Sequence, residues 1–191
     1  MIALRDYQSK AIADLRDGFR QGHDRQILSA STGSGKSIIM MEMVRAAFEK
    51  GTKTIFICER RNLIDQFSKH LDSQDIDHGV IMRGHWRYRP DALIQVACVQ
   101  TLEQMDTWPD FKIAFIDEIH ACLRKSIMNM MDTRSSLKII GATATPFHPM
   151  LGKYFTNIVS APPMAELVRM GNLVPFRTFV AHEINTEGLK G

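Results

Sequence analysis

The chain has 191 residues, 45% of them hydrophobic and 24% charged, and carries a net charge of +3. This length suits one domain with a core of its own, and the composition excludes an intrinsically disordered chain. The three cysteines are far apart and show no Cys-x-x-Cys spacing, which excludes a disulfide framework and a zinc site. No apolar run reaches the length of a membrane span, so we expect a cytoplasmic protein without a membrane partner.

Helices and strands are predicted to alternate along most of the chain. The predicted helices cover residues 5–21, 36–50, 61–71, 101–105, 125–131 and 164–170, and the predicted strands cover 26–30, 53–58, 93–99, 112–116 and 137–141. This order predicts an α/β fold with a mainly parallel sheet and helices on both faces, because the strands are apolar throughout. Ligands of such sheets bind beyond the carboxyl ends of the strands.

A glycine-rich segment at residues 30–37 lies between the first predicted strand and the second predicted helix. Its glycines let several backbone N–H groups surround phosphates, and the helix N-terminus adds partial positive charge. Lys36 is placed to reach the β- and γ-phosphates of a nucleotide, and the Ser37 hydroxyl is placed to bind Mg²⁺. We assign nucleotide binding in this loop to Thr32, Gly33, Ser34, Gly35, Lys36 and Ser37. The strand–turn–helix context disfavours a glycine-rich turn with a chance lysine, but nucleotide binding alone does not separate a kinase, a GTPase and a motor.

Two carboxylates follow the predicted strand at 112–116. Asp117 at this position is suited to hold Mg²⁺ beside the phosphates, together with Ser37. Glu118 is suited to act as the general base that polarises the attacking water. With Lys36, these two residues form the predicted catalytic set. The alternative is an acidic turn at a strand end. It is disfavoured by the glycine-rich segment at residues 30–37, which we call the phosphate loop.

The order and spacing of these segments resemble those of the superfamily 2 helicases, from Arg5 to about Phe176. The matching segments are 5–8 (Arg-Asp-Tyr-Gln), the loop 30–37, 58–66, 99–102, the Asp-Glu-Ile-His box at 117–120 and the Thr-Ala-Thr-Pro segment at 143–146. Residues 165–175 are similar to the stretch that closes the first motor domain in the type III restriction-motor branch, close to RadD-like and phage helicases.

The resemblance implies a RecA-like P-loop domain that binds ATP and Mg²⁺ and drives a DNA helicase. It also implies residue roles. Arg5 and Gln8 would bind the adenine; Arg60, Arg61, Gln100 and Thr101 would contact nucleic acid; His120, Thr143 and Thr145 would couple the nucleotide site to the DNA. His120 is equally compatible with a packed turn residue.

The family uses a second RecA-like domain, which supplies arginine fingers. We expect the first such domain over residues 1–175, and a final strand and linker toward the second over 176–191. The resemblance therefore implies a piece that is weak or inactive alone, and that requires a second RecA-like domain in the same or another chain. DNA, single-stranded or duplex, is the expected partner, in a bacterial or phage-infected cell.

Three other functions remain open from the sequence. A restriction-type translocase moves on duplex DNA without separating the strands and uses the same motifs. A non-motor nucleotide-binding module would bind ATP without responding to DNA. A small-molecule kinase is disfavoured, because it accounts for neither the Asp-Glu-Ile-His box nor the Thr-Ala-Thr segment.

A basic and aromatic segment covers residues 82–90, with three arginines, Trp86 and Tyr88. The arginines suit phosphates and the rings suit base stacking. The alternative is a surface loop whose aromatic rings anchor it to the domain, and this second interpretation is favoured.

Overall fold

The structure is a computed structural model that describes residues 3–175. Its strands are β1 Arg25–Ser29, β2 Thr54–Cys58, β3 Gly79–Ile81, β4 Ile94–Cys98, β5 Ile113–Ile116, β6 Lys138–Thr143 and β7 Asn157–Ser160. Its helices are α1 Asp6–Arg20, α2 Lys36–Glu49, α3 Arg61–Asp72, α4 Val99–Leu102, α5 Ile119–Cys122, α6 Lys125–Thr133, α7 Leu151–Tyr154 and α8 Met164–Arg169. Within this range no helix is both long and apolar enough to cross a membrane.

The seven strands of the described range form one parallel sheet in the order β3-β4-β2-β5-β6-β1-β7. The predicted α/β class with a parallel sheet is therefore confirmed. Because all strands run in the same direction, the segments that follow them meet at one edge of the sheet. The segments after β1, β5 and β6 lie on one side of this edge, and those after β2, β4 and β3 lie on the other.

Hydrophobic residues cover both faces of the sheet, as the apolar strands predicted. Helices α1, α2 and α3 contribute to one core cluster, in which the Phe56 and Phe67 rings stack with centroids 3.7 Å apart. Helices α4, α5, α6 and α7 contribute to the other. The strands at the centre of the sheet are therefore fixed from both sides, and this rigidity positions the segments at their carboxyl ends.

The long helices and buried strands lie where the sequence predicted them, with bounds shifted by one or two residues. The fourth helix is an exception, since it covers residues 99–102 and not 101–105. The structure adds four short elements that were not predicted: β3, α5, α7 and β7. Each has only three or four residues, too few to show a periodic pattern. The predicted final strand and linker at 176–191 lie outside the described residues.

Candidate nucleotide site and nucleic-acid groove

The phosphate loop is a compact turn between β1 and α2. Gly33 and Gly35 have φ of 81° and 82°, a backbone region that glycine adopts without steric cost. Between them Ser34 is buried, and its hydroxyl donates a hydrogen bond of 2.6 Å to the carbonyl oxygen of Ser31. The two glycines therefore allow the turn, and the serine hydroxyl holds its shape.

Side chains of helix α1 hold this loop in position. The Tyr7 hydroxyl and the Gln8 Nε2 group both donate to the Ser34 carbonyl oxygen, at 2.6 and 3.3 Å. The Gln8 Oε1 atom accepts a hydrogen bond of 3.0 Å from the Arg5 backbone N–H. A Cβ atom on Gly35 would lie 2.4 Å from Gln8 Nε2 and would displace this amide, and the φ of 82° already favours glycine there. Gln8 thus contacts the loop itself, and its adenine contact stays a prediction.

Asp117 lies directly after β5 and is buried, with 7% of its surface exposed. Within residues 3–175, its Oδ1 atom has no hydrogen-bond partner. Burial raises the pKa of this carboxyl above its ordinary value, and the nearby Lys36 ammonium partly opposes the rise. A buried carboxylate oxygen without a donor is suited to a hard cation, and Asp117 shares a cleft with the Ser37 hydroxyl.

The next residue, Glu118, has a φ of 45°, which is unusual for a residue with a side chain. Its Oε1 atom accepts a hydrogen bond of 2.6 Å from Lys36 Nζ, and only 10% of the lysine side chain is exposed. Such backbone strain concentrates at functional sites and costs about 1–3 kcal/mol. The structure therefore brings together all three residues of the predicted catalytic set.

The three residues with a predicted coupling role form a chain of contacts that begins at Glu118. The His120 Nδ1 atom lies 3.5 Å from Glu118 Oε2 and 2.8 Å from the hydroxyl oxygen of Thr143. That oxygen also accepts a hydrogen bond of 3.0 Å from the Thr145 backbone N–H. His120 thus connects the end of β5 to the end of β6, and its role in coupling stays a prediction.

These residues surround a cleft of about 660 Å³, a volume typical of ligand sites. Its lining comprises Thr32, Gly33, Gly35, Lys36, Ser37, Cys58, Glu59, Arg60, Leu63, Asp117, Glu118, His120, Ala121, Ala144 and Thr145. A larger depression of about 740 Å³ lies at the amino-terminal ends of β5 and β6 and contains no predicted site residue. The cleft is the better candidate, because parallel sheets bind ligands at their carboxyl ends.

A smaller apolar pocket of about 360 Å³ lies next to the loop and is lined by Thr32, Met164, Leu173 and Val174. The Arg5 guanidinium donates a hydrogen bond of 3.1 Å to the Asn172 carbonyl oxygen in the same segment. The last three lining residues had no predicted site role. Leu173 and Val174 belong to the segment 165–175 that resembles the helicase branch in sequence, but its position beside the loop follows only from the fold.

A separate groove of about 320 Å³ lies at the carboxyl ends of β2 and β4. It is lined by Glu59, Arg61, Met82, Arg83, Cys98, Gln100, Thr101 and Gln104, so three of the four predicted nucleic-acid residues meet there. The fourth, Arg60, lines the nucleotide cleft instead. Sequence reasoning also missed Arg124, which pairs with Glu59 and, at 3.2 Å, with Glu103.

The favoured interpretation of the basic aromatic segment is wrong, because its rings do not anchor it. The Trp86 side chain is 80% exposed and the Tyr88 side chain 53% exposed. Two arginines hold the segment: Arg87 pairs with Asp72 at 2.5 Å, and Arg89 pairs with Asp77 at 2.6 Å.

A parallel sheet with a phosphate loop after β1 and an acid pair after β5 defines a RecA-like domain of the P-loop class. The family model described as "Type III restriction enzyme, res subunit" matches residues 1–148, and the chain belongs to this family. The resemblance to superfamily 2 and its restriction-motor branch, drawn from the motifs, is thereby confirmed.

Curated relatives extend this result. The chain is 27% identical over 169 residues to UvrABC system protein B of Lactobacillus johnsonii, covering 85% of the chain and 23% of that protein. It is 27% identical over 161 residues to the putative ATP-dependent helicase IRC3 of Saccharomyces cerevisiae, covering 74% and 23%. The type I restriction enzyme EcoAI endonuclease subunit of Escherichia coli is 27% identical over 190 residues, with 91% and 23% covered. The chain thus spans about a quarter of the length of these relatives.

Solved structures confirm the fold. The UvsW helicase of bacteriophage T4 superimposes with a TM-score of 0.70 at 21% identity, covering 83% of the chain and 60% of that chain. A nuclease-deletion mutant of the type ISP restriction-modification enzyme LlaGI also gives 0.70, at 16% identity, covering 90% and 21%. The predicted RecA-like fold is therefore confirmed, while the predicted domain bounds stay a prediction.

Proposed function

We propose that this chain is the ATP-binding domain of a DNA-dependent motor, which couples ATP hydrolysis to DNA unwinding or translocation. The observation that carries the proposal is the contact of Lys36 with Glu118, beside Asp117 and the phosphate loop. These groups belong to two segments that lie 82 positions apart in the sequence, and a turn with a chance lysine gives no reason for them to meet. The names of the relatives support the same conclusion, since two of them carry the name "putative ATP-dependent helicase" or its mitochondrial form.

The loop amides and Lys36 would hold the phosphates of ATP. Ser37 and Asp117 would hold Mg²⁺, which neutralises developing charge on the phosphates during transfer. The donor set fits this ion, because Mg²⁺ uses one or two carboxylates together with substrate phosphates. Within residues 3–175 no cluster of three or more His, Cys, Asp or Glu residues competes as a metal site.

Glu118 would polarise the attacking water. Its carboxylate is paired with the Lys36 ammonium at 2.6 Å, and phosphate oxygens would compete for the same ammonium. When Lys36 turns to the phosphates, Glu118 becomes free to accept a proton. The apolar pocket beside the loop would receive the adenine, with Arg5 at its border.

DNA would lie along the groove that contains Arg61, Gln100 and Thr101, with the arginine on phosphate oxygens. Arg124 would connect this groove to the nucleotide site, because it follows α5 and pairs with Glu59, which lines both cavities. A second RecA-like domain would complete the nucleotide site. The length of the relatives, about four times the matched region, supports this part of the proposal.

Translocation on duplex DNA without unwinding is a second candidate. The solved structures with this fold include a SWI2/SNF2 ATPase core of Sulfolobus solfataricus in complex with double-stranded DNA, at a TM-score of 0.60. Displacement of a paired strand and displacement of a third strand from a triplex would separate the two activities in the complete protein.

The test of the proposal is ATP turnover by the chain, with and without single-stranded and duplex DNA, with Lys36→Ala as the blank. Turnover that DNA stimulates and Lys36→Ala abolishes supports the motor assignment. ATP binding with negligible turnover supports a domain that needs a second RecA-like domain. ATP binding and turnover that DNA does not affect, in the complete protein, would replace the motor by a nucleotide-binding module.

A further inference from the structure

The basic aromatic segment, Met82–Pro90, follows the edge strand β3 and lies beside the nucleic-acid groove. Its turn contains Gly84 with a φ of 74°, and the His85 backbone N–H donates a hydrogen bond of 3.0 Å to the Met82 carbonyl oxygen. Because β3, β4 and β2 are neighbours in the sheet, this segment emerges at the same edge as the groove.

Direct hydrogen bonds join the segment to two of the predicted nucleic-acid residues. The Arg83 backbone N–H donates to the Thr101 hydroxyl oxygen at 3.3 Å, and the Arg61 guanidinium donates to the Arg83 carbonyl oxygen at 2.9 Å. Arg83 therefore lies on the wall of the groove, and the residues after it continue that wall outward.

The rest of the segment is fixed against the domain. The Val80 backbone N–H donates to the Arg87 carbonyl oxygen at 2.9 Å. The Arg87 guanidinium also donates to His78 Nε2 at 2.7 Å, in addition to its pair with Asp72. A Cβ atom on Gly79 would lie 2.2 Å from the Arg89 carbonyl oxygen, so the backbone at Arg89 packs directly against β3.

This rigid turn holds Trp86 out toward solvent. Its ring is 80% exposed, although tryptophan is among the most buried residues on average. The Arg87 guanidinium lies 4.7 Å from the ring centroid on one side. A large ring that is oriented by its own segment, and not buried by it, is suited to stack on a flat partner with little loss of conformational entropy.

The charge around the groove favours a polyanion. The two nearby glutamates, Glu59 and Glu103, both pair with Arg124, which leaves a charge of −1 on these three residues against the +2 of Arg61 and Arg83. Within the described range, the guanidinium groups of Arg61 and Arg83 have no carboxylate partner, and both residues are exposed. The groove and its wall therefore present positive charge next to an exposed aromatic ring.

We propose that Trp86 stacks on an unpaired base of a DNA strand whose backbone lies in the groove, and that Arg83 contacts a phosphate beside that base. The inference rests on the proposed function, and adds to it a base-contacting residue outside the segments that resemble the helicase motifs. Stacking on a ring is independent of base identity, so the contact would be tolerant of sequence.

The first measurement is tryptophan fluorescence of a Trp108→Phe variant, in which Trp86 is the remaining one of two tryptophans. A short single-stranded DNA oligonucleotide of mixed sequence should quench this fluorescence on binding. The same oligonucleotide with abasic positions retains its phosphates, and should bind more weakly and quench less. Equal quenching by both oligonucleotides would overturn stacking, as would binding that leaves the fluorescence unchanged.

The second measurement is the affinity of the same oligonucleotide for otherwise unmodified variants. Trp86→Ala should weaken binding about tenfold and Trp86→Phe by less, in line with the loss of one base stack. Ile158→Ala, which removes an exposed apolar side chain at the opposite edge of the sheet, should bind as wild type does. ATP affinity should be the same in all of them.

The outcomes separate this inference from the proposed function. If Arg61→Ala weakens DNA binding and Trp86→Ala does not, the stacking proposal is overturned while the motor assignment stands. If wild type binds ATP but no DNA at any concentration, the groove and the stack are both overturned. If Trp86→Ala changes only the affinity for a separately expressed protein domain, the ring is a protein contact and the proposal is overturned.

Discussion

At the scale of single residues, the site depends on where the Lys36 ammonium is held. Its partner is Glu118, at 2.6 Å, and the lysine side chain is largely buried. A charge-assisted hydrogen bond of this kind is stronger than a neutral one, so in the proposed mechanism ATP would compete with the carboxylate for the lysine. The pair would then keep the proposed base neutralised until phosphate oxygens take the place of Glu118 at the ammonium.

Glu118→Gln tests this competition. The amide cannot act as a base, so turnover in the complete protein should fall by about 100-fold or more. Binding of ATP should be retained or become tighter, because Lys36 loses a charged competitor. Calorimetric titration with ATP and a phosphate-release assay would measure the two effects.

Glu49→Gln is the matched control, since Glu49 is an exposed carboxylate at the far end of α2. It should change neither quantity. Loss of ATP binding in Glu118→Gln would contradict the account, because Glu118 would then hold the nucleotide and not the water.

Much of the site was predictable at this scale because its motifs are local. The loop at 30–37 and the acids at 117 and 118 are each defined by a few consecutive residues. The contact between Lys36 and Glu118 was not predictable, since 82 positions separate them. The hydrogen bond from the Tyr7 hydroxyl to the Ser34 carbonyl oxygen was not predictable either, because it depends on how α1 packs against the loop.

At the scale of elements, the position of α5 depends on Gly141 in β6. A Cβ atom at this position would lie 2.9 Å from the Ile119 Cβ atom, closer than side chains normally approach. Ile119 is the first residue of α5, and the next residue, His120, contacts Thr143. The missing side chain therefore allows the helix to lie against the strand and the contact between His120 and Thr143 to form.

Gly141→Ala should push α5 away from the sheet and destabilise the domain by about 1–3 kcal/mol, the usual cost of overpacking. The melting temperature should fall by roughly 2–10 °C for a domain of this size. Differential scanning calorimetry would measure it. Gly152→Ala in α7 is the control, because a Cβ atom there meets nothing within 4 Å. Equal melting temperatures for the two variants would contradict the close-approach argument.

Long and buried elements were predicted accurately, and four short elements were missed. Strands β2 and β4 are buried at every position, and their mostly apolar residues identified them. The edge strands β3 and β7 were missed for physical reasons. The first has three residues, and in the second only Val159 is buried, so neither carries an apolar pattern that distinguishes it from a loop.

At the scale of the whole molecule, the fold places the candidate nucleotide cleft and the candidate nucleic-acid groove side by side at one edge of the sheet. Arg124 pairs with Glu59 and Glu103 across this boundary. In the proposed motor, this proximity would let a change at one site act on the other through rigid packed elements. The sequence order alone did not predict this connection, because it depends on the spatial order of the strands.

The pH dependence of stability is a second property of the whole molecule. We expect His78 to contribute to it between about pH 7 and pH 5. This buried imidazole has a pKa below its ordinary value of about 6.5, mainly because burial disfavours the charged form. Its contribution to stability is complete above the unfolded pKa and is lost as the pH falls toward the folded pKa, because the unfolded chain then binds the proton.

The free energy of unfolding should therefore decrease between about pH 7 and pH 5. Asp72 and Asp77 do not add to this decrease, since hydrogen bonds from Arg87 and Arg89 lower the pKa of each carboxyl. Urea unfolding of wild type and His78→Gln would measure the effect. The variant should lose less stability over this interval than wild type does, and parallel curves would contradict the assignment.

The measurement that tests the central claim most directly is calorimetric titration of the chain with ATP in the presence of Mg²⁺, for wild type, Lys36→Ala and Lys10→Ala. Lys10 is exposed and pairs with Asp14 on α1, so its variant is the matched loss of one lysine. We predict that wild type and Lys10→Ala bind ATP alike, and that Lys36→Ala binds at least about tenfold more weakly, as expected for loss of a charged hydrogen bond. Equal binding by all three proteins would contradict the account, because the loop at 30–37 would then not be the phosphate site.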